Sequence, residues 1–126
     1  MKNLVLVIML SMVATMVNAQ FSGISSAISN KDAAALSNFF GTSVEITTPE
    51  ADAVFNKAEA ISVMKKFFAT YNPSSFKLVH QGSSKGKASE YAIGDMKAAG
   101  KSFRVFIYIN ETSGKTVIEQ IQFEQD

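Results

Sequence analysis

The residues best able to do chemistry are one histidine and a few carboxylates and phenols that alternate with apolar neighbours. His80, the sole histidine, alternates with Phe76 and Leu78, and Glu119 alternates with Val117, Ile121 and Phe123. Residues two apart on a strand share a face, so the spacing predicts a carboxylate and an imidazole facing one apolar pocket. Such a pocket raises a carboxyl pKa toward neutrality, as a general base or acid requires, and a nearby imidazole can orient it or share its proton. In a proton-transfer enzyme Glu119 is therefore the candidate base, with His80 or Tyr91 as its partner. The competing reading is a solvated Glu119 and an exposed or hydrogen-bonded His80, because one bulge reverses the parity of every residue beyond it.

A second set, Tyr91, Asp95, Arg104 and Tyr108, lies at alternating positions on neighbouring strands. Arg104 with Tyr108 suits a ligand carboxylate, whereas Arg104 facing Asp95 or Glu90 is an ordinary cross-strand pair. Other strings fail as motifs. Gly82–Ala88 lacks the spacing and the Ser or Thr of a phosphate loop, and it lies between two strands, which makes it a hairpin turn. One histidine, no cysteine and dispersed acids give no transition-metal set, so neither metal nor cofactor is expected. The Ser-rich stretch 22–29 has no nucleophile elbow, and Lys65-Lys66 reads as a solvated pair. Asn110-Glu111-Thr112 is a formal glycosylation acceptor in a turn.

The elements that must position these residues follow from periodicity. Ile24, Ile28, Leu36, Phe39 and Phe40 recur at helical spacing, broken at Asn30-Lys31-Asp32, which predicts two short helices or one bent one, with Asn30 or Asp32 as a cap. Ser43–Thr47 alternates as a short strand. Asn56 and Glu59 form a capping-box pattern ahead of Ile61, Met64, Phe67, Phe68 and Tyr71, a helix that stops at Asn72-Pro73. From Phe76 onward the period is two. Segments 76–81, 88–95, 102–109 and 116–124 read as a four-stranded antiparallel meander. The expected fold is α+β, with N-terminal helices packed on a curved antiparallel sheet.

Within that sheet, Phe103, Val105, Ile107 and Ile109 mark one face. The other holds Phe106 and Tyr108 beside Arg104, so neither side is properly polar, and a covered second face suggests a homodimer through Arg104, Phe106 and Tyr108.

The chain has 126 residues, room for a single domain. Lys2 precedes an apolar run, Leu4–Val17, and Val17-Asn18-Ala19 fits a cleavage site, so 1–19 reads as a signal peptide and 20–126 as the mature domain. The run is shorter than the roughly 20 residues that span a bilayer. A periplasmic or extracellular destination is expected, with no membrane insertion of the mature chain. All ten Phe and three Tyr fall after residue 19, a bias toward sheet. The formal charge of +1 comes from Lys2, leaving the mature part neutral, without the basic footprint of a nucleic-acid binder.

Ile28–Leu36, Val54–Ala60 running into a helix that ends Phe67-Phe68, Tyr91–Gly94 and Phe103–Tyr108 together resemble a group of small exported bacterial proteins known as a domain of unknown function, family 4783. That group resembles the nuclear-transport-factor-2-like superfamily, whose fold is an α+β cone. The resemblance implies a pocket between sheet and helices, and members of the wider superfamily range from isomerases and dehydratases to ligand carriers and non-catalytic dimeric adaptors, so the fold does not select among them. The expected function is an exported, non-catalytic domain that binds a small apolar ligand or a partner protein. Phe39, Phe67, Tyr71, Tyr91 and Phe103 are the candidate lining, with Phe40 and Phe68 beside them. The alternatives are a proton-transfer isomerase or dehydratase and an envelope interaction module with a filled core.

Overall fold

The computed structural model of the protein describes residues 19–83 and 89–126. Residues 1–18 of the expected signal peptide and the centre of the 82–87 hairpin turn lie outside the described residues. The chain runs α1 (Ala19–Ser29), α2 (Ala33–Ser37), β1 (Phe40–Thr47), β2 (Asp52–Asn56), α3 (Lys57–Thr70), β3 (Pro73–Ser83), β4 (Ser89–Ala98), β5 (Lys101–Thr112) and β6 (Lys115–Gln125). The break between α1 and α2 comes from Lys31, which takes a positive φ of 57°, followed by Asp32, whose carboxylate accepts the Ala35 N–H at 2.9 Å as an N-cap.

α3 forms where the sequence pattern places it. The Asn56 side chain accepts from the Glu59 N–H at 2.9 Å, and the Glu59 carboxylate accepts from the Asn56 N–H at 3.1 Å, which satisfies two otherwise orphaned donors. The inward stripe Ala60, Met64, Phe67 and Phe68 is buried. The helix ends as the Tyr71 N–H closes on the Phe67 carbonyl at 2.8 Å, because Asn72 precedes a proline and is pushed out of helical geometry.

The six strands form one sheet in the order β2-β1-β6-β5-β4-β3. The meander β3–β6 is antiparallel as expected, but the sheet as a whole is mixed, because β1 pairs parallel with β6. The β4–β5 turn is Ala99-Gly100, with φ of 51° and 75°, and the β5–β6 turn is Ser113-Gly114, with 53° and 77°. Two positive-φ residues joining a two-residue hairpin match the twist of the flanking strands, and the glycines remove half the steric cost.

Strand β2 departs from the reading of Val54–Asn56 as a turn into the helix. It has no apolar alternation to announce it, since Asp52, Ala53 and Val54 are exposed, and its partner β1 alone fixes it. One sheet face is apolar and covered by the helices. It carries Ile46, Met96, Phe103, Val105, Ile107, Ile109, Ile118, Ile121 and Phe123, packed with Phe21, Ile24, Ile28 and Leu36 of the first two helices and with the α3 stripe. At the centre, the Phe67 ring lies 4.5 Å from Phe123, 5.3 Å from Tyr71 and 5.8 Å from Phe103, with tilted or edge contacts that aromatic quadrupoles favour.

Candidate functional site

Two bulges decide where the predicted catalytic pair goes. In β3 the register slips between Leu78 and His80, so that Leu78 opposes Gly94 but His80 opposes Ile93. In β6 it slips at Glu119, between Ile118, paired with Ile109, and Gln120, paired with Tyr108. Each extra residue flips the parity beyond it. Phe76 and Leu78 keep to the inner face while His80 turns to the outer one, and Glu119 is exposed, flanked by buried Ile118 and Ile121. The expected inward pair is therefore not formed. The Glu119 carboxylate accepts from the Asn110 side-chain amide at 2.9 Å, and His80 Nε2 lies 3.1 Å from the Tyr91 hydroxyl.

The inward carboxylate of this sheet is instead Glu90, opposite Ser83 and Ile109, with Oε2 buried and without a partner among the described residues. Its parity was readable in the sequence, since it shares a face with Ala92, Met96 and Ala98.

The outer face gathers a row of rings. His80, Tyr91 and Tyr108 step across β3, β4 and β5 with centroids 5.7 Å and 6.4 Å apart. Tyr91 spreads toward β3 because its cross-strand neighbour is Gly82, where a Cβ would come within 2.5 Å of the phenol ring. Ile93 opposes Phe106 beside the rings, and Asp95 opposes Arg104, which it meets at 3.7 Å. Both partners of that pair are about half exposed, so it stabilises by about 0–1 kcal/mol. Arg104, Phe106 and Tyr108 thus share one face.

The predicted apolar lining does not converge on a single space. Phe103 is buried in the core, Tyr91 is on the outer face, and Phe39 lies over Gly23 on α1, where a Cβ would be 2.7 Å from the ring. Phe67 does border a cavity. This space, about 400 Å³, opens between two walls: Val63, Lys66, Phe67 and Thr70 of α3, and Thr48, Glu50, Ala51 and Phe55 of the β1–β2 hairpin. Residues 63, 66, 67 and 70 form one stripe of a helix surface. The hairpin wall is shaped by its tight turn, in which Thr48 Oγ1 accepts the Glu50 and Ala51 N–H groups at 3.2 Å and 3.0 Å. Tyr71 ties the walls together, its hydroxyl donating to Glu50 Oε1 at 2.7 Å. That bond and the neighbouring negative charge hold the phenol pKa above its ordinary value of 10.0. Sequence reasoning missed Glu50, Ala51, Phe55 and Val63 because the two walls are distant in pattern and no spacing marks them as facing each other. Among the described residues no His, Cys, Asp and Glu cluster has metal-site geometry, and no helix is long and apolar enough to cross a membrane.

Helices covering one face of a curved mixed sheet define an α+β protein of nuclear-transport-factor-2-like fold. Residues 21–124 match the family model of the domain of unknown function DUF4783, and the chain belongs to that family. It is similar to DUF4783 crystal structures from Bacteroides uniformis, at 27% identity and TM-score 0.76 over 83% of this chain and 95% of that one, and from Bacteroides ovatus, at 24% and 0.76 over 82% and 93%. An NTF-2-like protein of unknown function from Silicibacter pomeroyi shares the fold at 15% identity and TM-score 0.61, over 92% of this chain and 98% of that one. Among curated proteins, none matches.

Proposed function

We propose that the protein is an exported, non-catalytic binding domain that holds a small apolar ligand in the cavity between α3 and the β1–β2 hairpin. The observation that carries this reading is the cavity itself, walled by Ala51, Phe55, Val63 and Phe67 and of a volume within the range of small-molecule sites. With Glu119 and His80 both exposed, the inward acid–base pair that a proton-transfer mechanism would use is not formed. In this reading the helices and sheet supply rigid walls, the space between them is filled by Phe67, Phe103 and Phe123, and the ligand space lies at the hairpin end. In this reading the signal peptide expected at 1–19 supports a ligand met outside the cytoplasm.

A second reading, compatible with the first, is self-association through the outer face. The exposed and half-buried band of Tyr91, Ile93, Phe106 and Tyr108 favours it. Native mass spectrometry of the protein recovered undenatured from its secreting host tests both. A defined small-molecule adduct is expected on a dimer. A chain free of adduct that also fails to take up any apolar compound would overturn the ligand reading, and a monomer would overturn self-association.

A further inference from the structure

We propose that the ligand of this cavity is a zwitterion with an apolar body, namely a free apolar amino acid or a dipeptide of apolar residues. The inference rests on the cavity reading above and adds the ligand's chemical class. Two ionisable side chains border the space, one from each wall: Lys66 from α3 and Glu50 from the hairpin. They do not meet, and among the described residues the Lys66 ammonium has no carboxylate within ion-pair distance. Glu50 is held by the Tyr71 hydroxyl on one oxygen, which fixes the carboxylate in place and leaves Oε2 as an acceptor. The apolar part of the lining is Ala51, Phe55, Val63 and Phe67.

A ligand that is only an anion would gain Lys66 but be repelled by Glu50, and a cation would meet the reverse. A neutral apolar molecule would leave both charges to water. A zwitterion satisfies both, its carboxylate toward Lys66 and its ammonium toward Glu50, while its side chain lies on the apolar walls. Charge-assisted bonds at both ends would then set orientation as well as affinity. The amino acid and the dipeptide share this chemistry and differ in the separation of their charges.

The experiment is calorimetric titration of the full mature chain with L-phenylalanine, leucyl-phenylalanine, N-acetyl-L-phenylalanine and L-phenylalaninamide. The neutral dye N-phenylnaphthylamine reports the cavity by displacement. One of the two zwitterions is expected to bind at least tenfold more tightly than both single-charge analogues, and which one does so identifies the source. Lys66→Ala should abolish the preference for phenylalanine over its amide, with Lys66→Arg restoring it. Glu50→Gln should abolish the preference over the acetylated form, while Tyr71→Phe, which keeps the carboxylate, retains it. If a single-charge analogue binds as tightly as the zwitterions, or if none displaces bound dye, the ligand class is wrong and the cavity reading stands. If the dye itself does not bind, the cavity reading fails.

Discussion

Replacing Phe67 tests the link between core and cavity, because this ring stands in both. It is 3% exposed, makes ring contacts with Phe68, Tyr71, Phe103 and Phe123, and forms part of the α3 wall. Truncating a buried Phe to Ala removes its transfer free energy and leaves a void that packed neighbours cannot fully close, a loss of about 3–5 kcal/mol. Against a total stability of about 5–15 kcal/mol, that is a large fraction. In urea unfolding followed by circular dichroism, at about 2 kcal/mol per molar, Phe67→Ala should lower the midpoint by about 2 M. Phe106→Ala, on the outer face, should lower it by about 0.5 M, in keeping with a half-buried ring. If Phe67→Ala proves too unstable to purify, Phe67→Leu keeps most of the volume and should cost about 1.5 kcal/mol. A Phe67→Ala midpoint no lower than that of Phe106→Ala would refute the placement of Phe67 at the centre of the core.

Other substitutions probe other joints. Gly94→Ala would bring a Cβ within 2.7 Å of the Phe76 ring and 3.0 Å of the Lys77 carbonyl, and should cost about 1–3 kcal/mol of overpacking, read as a lowered melting temperature. Asn56→Ala removes the α3 cap and should cost about 1 kcal/mol in the same assay. Spectrophotometric titration should show Tyr71 ionising above its ordinary range, and Glu50→Gln should lower its pKa. Because the folded pKa of Tyr71 is raised, its contribution to stability is fully present below pH 10 and is lost as pH climbs through the folded value, so Tyr71→Phe should be less stable than the wild type at neutral pH, with the difference closing at alkaline pH.

The legibility of the fold follows the strength of its local signals. α3 could be read to its cap because Asn56, Glu59 and the stripe through Tyr71 all agree with one helix, and Phe103–Ile109 alternate cleanly enough to give the correct inward face. β2 was hidden because an exposed edge strand carries no alternating pattern, and only pairing with β1 makes it a strand. Parallel pairing of β1 with β6 joins segments too far apart for periodicity to couple. The catalytic constellation failed at two single residues. A bulge at Val79 and another at Glu119 are each cheap locally, yet each reversed the face of the residue on which the chemistry depended. The cavity was invisible for a different reason: its walls are α3 residues chosen for packing and a turn chosen for tightness, and only their meeting creates the space.

The space between α3 and the hairpin should accept an apolar molecule. Fluorescence titration of N-phenylnaphthylamine into the wild-type chain and into Val63→Trp tests it directly, since the indole would occupy the space from the α3 wall. The expected result is saturable one-site binding to the wild type and its loss in Val63→Trp, with unchanged far-ultraviolet circular dichroism. Equal binding by the two proteins, or none by the wild type, would contradict it.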